Sequence, residues 1–202
     1  MIVGFFYVLL EIRKSHYLWY LCIAASILNI FVYWHNNYLI MCAIQFYYIG
    51  NAFYGLAQFR KVKAAAIEEY GTRDEGDPDK VAVARFNWKV GGVASAIALA
   101  AFFALAPLVK AYAEANGGVA FPSQPYFDAL IGVGSMLGTF FLSRSYFCQW
   151  YFWLVIDTLS IVIFCISGMY YMAALNVAYV VMAVYGAHFW RKHGVSIDDN
   201  KL

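Results

Sequence analysis

Charge is scarce in this chain. Asp, Glu, Lys and Arg make up 13% of its 202 residues, about half the share found in a soluble domain, while 63% are apolar. That balance cannot clothe a water-facing surface, so an ordinary soluble domain is excluded. Cysteine is also rare. Cys22, Cys42, Cys148 and Cys165 sit in or at the ends of apolar runs with no CxxC spacing, and read as small apolar residues rather than a redox or zinc motif. His16, His35, His188 and His193 fall at run ends without HExxH-type spacing, which leaves no metal site and no cofactor to expect. No ATP-binding motif is present, so transport directly driven by ATP is excluded. The net charge is only +2, and no basic patch interleaved with aromatics lies outside the apolar runs, so a nucleic-acid partner is not expected.

The apolar runs themselves are long. Residues 17–34, 38–59, 88–110, 126–142, 148–167 and 169–190 each have the length that crosses about 30 Å of hydrocarbon as helix. A shorter stretch, Ile2–Leu10, opens the chain and ends in Glu11-Ile12-Arg13-Lys14, like the exit of a membrane helix. It has neither the basic start nor the small-residue cleavage site of a signal peptide. It reads as a seventh span that begins partway down, as though the N-terminus were trimmed. With seven spans in order, 13 of the 14 basic residues fall on one side and only Lys110 on the other. The positive-inside rule makes the basic side cytoplasmic, with the N-terminus outside and the C-terminus inside. The soluble stretch, residues 60–87, reads as a charged, turn-rich cytoplasmic linker with a short helix at Lys61–Tyr70. Residues 193–202 read as a cytoplasmic tail.

The chain matches itself at an offset of 131 residues, with 13 identities in the 49 gapless positions that set Arg13–Lys61 on Arg144–Lys192. Trp19-Tyr20 falls on Trp150-Tyr151, Tyr54-Gly55 on Tyr185-Gly186, and Arg60-Lys61 on Arg191-Lys192. Scattered Leu matches would follow from composition, but three such dipeptides in one register would not. The expected fold is therefore an all-α membrane protein of seven helices. Two parallel three-helix repeats, residues 1–59 and 126–192, flank a linker span at 88–112, a 3+1+3 plan with the substrate site near the repeat interface.

Polar groups at membrane depth are the candidates for that site. Trp150, Trp153, Asp157 and Ser160 recur at spacings of three, four and three, so they share one face of the sixth span. Asp157 is the deepest carboxylate in the spans; Asp128 and Glu11 read as lying near span ends. An isolated ionised Asp is costly in hydrocarbon. It is therefore protonated and bonded to neighbours, exposed to a hydrated pocket, or set against a cationic substrate. Gln45 and Asn176 are equivalent under the offset, and each is followed one turn later by a tyrosine, Tyr48 or Tyr179. Such pairs, with Asn29, either staple helices together or bind a polar aromatic ligand. Gly55 and Gly186 read as close-packing positions, and Trp88, Trp190 and Tyr126 as interface anchors.

These residues resemble the PnuC family of bacterial vitamin transporters. The likeness rests on Trp150-x-x-Trp153-x-x-x-Asp157, on Pro125-Tyr-Phe-Asp-Ala129, on Gln45-Phe-Tyr-Tyr48 and on Tyr185-Gly186 with Trp190-Arg-Lys192. It implies facilitated uptake across the bacterial inner membrane of a vitamin precursor, nicotinamide riboside or in close relatives thiamine, trapped by cytosolic phosphorylation. It also implies a pocket of sixth-span tryptophans and third- and seventh-span amides, and assembly as a homotrimer. Both ligands carry a cationic aromatic ring, which paired Trp faces and Asp157 would attract. A sugar facilitator of the same plan is the main competitor and would favour Asn-rich pockets. A retinal protein needs a Schiff-base lysine that residues 169–190 do not contain, and a membrane enzyme needs paired catalytic groups.

Overall fold

The computed structural model describes residues 2–35, 39–70, 81–115 and 121–198. The charged centre of the linker at 71–80 and the last residues of the tail, with Arg73, Lys80 and Lys201, lie outside them. Seven helices follow the apolar runs: α1 (Ile2–Ile12), α2 (Tyr17–His35), α3 (Leu39–Tyr70), α4 (Trp88–Ala115), α5 (Gln124–Ser143), α6 (Gln149–Ile166) and α7 (Tyr170–His193). Among the described residues, five of these, α2 and α4 to α7, are both long and apolar enough to cross a membrane. The α1 helix has only 11 residues, and α3 carries the polar side chains Gln45, Asn51 and Gln58. The surface is inverted relative to a soluble protein: Phe31, Phe103 and Tyr170 are each at least 67% exposed. Hydrocarbon, not water, suits that surface.

The repeat is reproduced bond for bond. At the α1–α2 turn, the amides of Arg13, Lys14, Ser15, Leu18 and Trp19 donate to the carbonyls of Leu9, Glu11, Leu10, Ser15 and His16. At the α5–α6 turn the residues 131 positions later make the same five bonds, from Arg144, Ser145, Tyr146, Gln149 and Trp150 to Phe140, Leu142, Phe141, Tyr146 and Phe147. Lys14 and Ser145, again equivalent, are the two non-glycine residues with positive φ among the described residues, at 47° and 59°. A shared, intrinsically unfavourable backbone conformation is a stronger mark of common architecture than shared apolar residues.

The two repeats interlock through exchange. Within each, the helices pack in order, α1 on α2 on α3 and α5 on α6 on α7. Between them, the first helix of each lies against the third helix of the other: α1 on α7 and α5 on α3. The α3–α5 seam is stapled by Tyr47, whose hydroxyl donates to the Met136 carbonyl at 2.8 Å, and by buried Asn51, whose amide donates to the Thr139 carbonyl at 3.0 Å. Across α1–α7, the buried Trp190 indole donates to the Ile12 carbonyl at 2.9 Å. Trp190 is 1% exposed; it is a core residue rather than the interface anchor its position suggests. Trp88 is 82% exposed and can serve as such an anchor. Asn51→Ala should cost about 1–2 kcal/mol, read as a lower melting temperature in detergent, because the buried bond across the seam is lost.

The linker and tail are more ordered than a solvated loop. The α3 helix runs on through residues 60–70, so the short helix expected there is a continuation of the third span. Beyond it, β1 (Val81–Ala84) pairs in parallel with β2 (Gly194–Ile197), and Ala84 bridges to Tyr146 of the α5–α6 turn. Ile197, fully buried, packs with Val62 and Ala65 of α3. Lys14 donates to the Ala82 carbonyl and lies over the Trp190 ring. The α1–α2 turn, the α5–α6 turn, the linker strand and the tail thus meet at one end of the bundle. The α4 helix packs on α5, with Phe86 seated over Gly91 at its start.

Candidate binding cavity

The geometry of the site begins with two glycines. Trp150 lies on Gly186 of α7 so closely that a methyl there would come within 2.4–2.8 Å of three atoms of its six-membered ring. Trp19 lies on Gly55 of α3 in the same way. The two pairs are equivalent under the offset, and they set the distance between the second and third helices of each repeat. Trp150 is further held edge-on by Trp190, with ring centres 5.5 Å apart at 86°. Only a residue without a Cβ permits that approach.

In repeat two this packing leaves a cavity of about 400 Å³ bounded by α1, α5, α6 and α7. The volume suits a small nucleoside-sized ligand. Trp150, Trp153, Asp157, Asn176 and Tyr179 all line it, with Ser160. Five of the eight residues singled out from the sequence are therefore brought together on one cavity wall. The other three are not. Asn29 donates to Gln45 at 3.5 Å between α2 and α3, and Tyr48 packs against the Leu18, Trp19 and Cys22 core of repeat one. Their equivalents Ser160, Asn176 and Tyr179 line the cavity, whereas these three make contacts within repeat one.

The cavity also holds groups that spacing did not single out: Glu11 and Tyr7 from α1 and Ser135 from α5. Glu11 is 3% exposed although it lies in the last turn of a short helix. The signal for it was the offset, which sets Glu11 on Leu142, a buried apolar position.

The polar inventory is lopsided. Among the described residues the lining includes two carboxylates, Glu11 and Asp157, and no Lys or Arg. The indole N–H groups of Trp150 and Trp153 are buried without a partner among the described residues. Asn176 donates to the Met172 carbonyl at 2.9 Å and Ser160 to the Ile156 carbonyl at 2.8 Å. Asn176 keeps its side-chain oxygen and one N–H for a guest. Two larger grooves, of about 490 and 520 Å³, flank α4. Their walls are almost wholly apolar, and they offer no chemistry beyond a hydrocarbon contact.

A sequence model of the family described as nicotinamide mononucleotide transporter matches residues 1–192. The chain belongs to that family. Among curated relatives, the nicotinamide riboside transporter PnuC of Escherichia coli (strain K12) and that of Shigella flexneri are each 29% identical to it over 66 residues. The matched stretch covers 33% of this chain and 28% of the length of those relatives. Among solved structures, a crystal structure of the vitamin B3 transporter PnuC aligns with a TM-score of 0.60 at 17% identity, covering 94% of this chain and 77% of that one. At that identity the likeness is one of fold, and it agrees with the seven-helix, two-repeat bundle. The family is one of transporters, not enzymes.

Proposed function

We propose that the protein is a transporter of a cationic aromatic vitamin precursor, and that its substrate is nicotinamide riboside rather than the mononucleotide. One observation carries the choice: among the described residues the cavity is walled by aromatics and by two carboxylates, without a Lys or Arg. A phosphate brought beside Glu11 and Asp157 would meet like charge and find no fork of donors to neutralise it. A pyridinium ring meets the opposite situation. Trp153 offers an electron-rich face, worth about 0.5–2 kcal/mol to a cation, and the acids add Coulomb attraction. Asn176 is placed to fix a hydrogen-bonding edge, and Tyr179 a ring face. The names of the curated relatives, which specify the riboside, agree with this reading.

The basic end of the bundle, which gathers the α1–α2 and α5–α6 turns with the linker and tail strands, faces the cytoplasm in this proposal. The N-terminus is then outside, and the membrane is the bacterial inner membrane. Phosphorylation in the cytosol would trap the ligand, since the phosphorylated product no longer suits an acidic cavity. Thiamine, also cationic, is the comparison ligand.

Calorimetric titration of the purified protein tests this. Nicotinamide riboside should bind at least about tenfold more tightly than the mononucleotide, a difference of about 1.4 kcal/mol or more. Asp157→Asn should weaken riboside binding by about tenfold or more while leaving the melting temperature nearly unchanged, and Trp153→Ala should weaken it as much at a cost in stability, since that ring also packs on the Trp150 and Trp190 core. Tighter binding of the mononucleotide, or of thiamine, would reassign the substrate.

A further inference from the structure

Glu11 has no structural task that accounts for it. It is 3% exposed, it lines the cavity with Asp157, and its Oε1 is buried without a hydrogen-bond partner among the described residues. The scaffold does not require a carboxylate at either position. Under the offset, Glu11 corresponds to Leu142, itself 3% exposed, and Asp157 to Ser26, 4% exposed. Each repeat thus carries one acid at a site where its twin is uncharged, and the interlock of α1 with repeat two delivers both to one cavity.

Among the described residues, no Lys or Arg lines the cavity. Tyr7 on α1, Cys22 on α2, Tyr48 on α3, Asp157 on α6 and Tyr179 on α7 are the titratable side chains in and behind this wall, and none is basic. Arg13 follows Glu11 but is exposed, and Lys14 is engaged with the Ala82 carbonyl and the Trp190 ring. Two carboxylates lining one small cavity do not both ionise readily. A proton in the empty cavity relieves that conflict, and a fixed cation relieves it equally well.

We propose that Glu11 is a specificity-determining residue: with Asp157 it forms a two-carboxylate seat, one acid from each repeat, that exchanges a proton for the cationic ring. The ring enters, one carboxyl O–H gives up its proton to bulk solvent, and the charge within the cavity is the same before and after. This rests on the cation-site reading of the cavity. Binding of the charged ligand then tightens as pH rises, because protons compete with it. An uncharged ligand of the same shape gains nothing from the pair.

The experiment titrates the full chain with nicotinamide riboside and with its reduced dihydro form, whose ring is neutral. Each titration is run in two buffers of equal pH and different protonation enthalpy. The expected result for the wild type is release of close to one proton with the charged ligand and none with the neutral one. Glu11→Gln should abolish the release and cut the preference for charged over neutral ring by on the order of tenfold. Its binding of the neutral form serves as the check that it is folded. The wild-type proton count does not depend on any variant folding. Riboside binding without proton release, or an unchanged preference in a folded Glu11→Gln, overturns the exchange while leaving the transport reading intact. Failure of the wild type to bind either ligand overturns the transport reading itself, and this proposal with it.

Discussion

Replacing Gly186 with alanine should abolish ligand binding and destabilise the protein by about 2 kcal/mol or more. In an isolated helix the same change would help slightly, since alanine is the better helix former. Here the added methyl would clash with the ring of Trp150, at 2.4 Å from its nearest atom. That ring cannot yield: it is 1% exposed and is held edge-on by Trp190, which is itself bonded to Ile12. Overpacking at such a site typically costs about 1–3 kcal/mol, and relief by tilting Trp150 would move the cavity wall. Gly55→Ala should cost comparable stability through Trp19, but Trp19 does not line the cavity, so the folded fraction should bind ligand nearly as the wild type does. Gly138→Ala is the control. Its methyl would meet the Trp153 ring at 3.5 Å, an ordinary contact, and should change little. Melting temperatures and calorimetric titrations of the three variants check the set. Equal loss of binding in Gly55→Ala and Gly186→Ala would mean that stability, not cavity shape, controls binding.

Ile197→Asp should release the tail from the bundle and cost roughly 3 kcal/mol or more. Ile197 is fully buried, and it packs β2 against Val62 and Ala65 of the long α3 helix. Its carbonyl also accepts the Arg85 amide at 2.8 Å. A carboxylate there would be buried in an apolar core, and the folded form avoids that cost by unpairing β2 from β1. The readouts are rapid proteolysis of the tail near Gly194 and a lower melting temperature. Ile197→Val, which removes one methylene, should cost only about 1 kcal/mol and keep the tail protected. A tail that is equally protected in Ile197→Asp would mean that the strand pair does not depend on this core.

Much of the architecture was legible because a membrane imposes a simple rule. Apolar runs of fixed length report spans. The repeat was legible for another reason. Trp19 and Trp150 recur with Gly55 and Gly186 because each indole needs a partner without a side chain, so the contact imposes both residues at once. The polar face of α6 was readable from helical spacing alone, and Asn176 and Tyr179 of α7 from the offset. The strands β1 and β2 were not. Four-residue segments more than a hundred positions apart carry no periodicity, and nothing in either announces its partner.

The sequence by itself determined what lies in the bilayer, how many helices cross it and which segments are copies of one another, since these follow from hydropathy and from identities along the chain. Only the tertiary structure decided which copy of each polar pair is open. Asn176 and Tyr179 border a void while Gln45 and Tyr48 are packed over, although the offset makes them equal. It also decided that Glu11, the last acid of a short helix, faces Asp157's cavity and not the solvent. Both outcomes depend on the exchange of first helices between the repeats. Which neighbour a helix face meets is a matter of packing against distant elements, and local spacing along the chain holds no record of it.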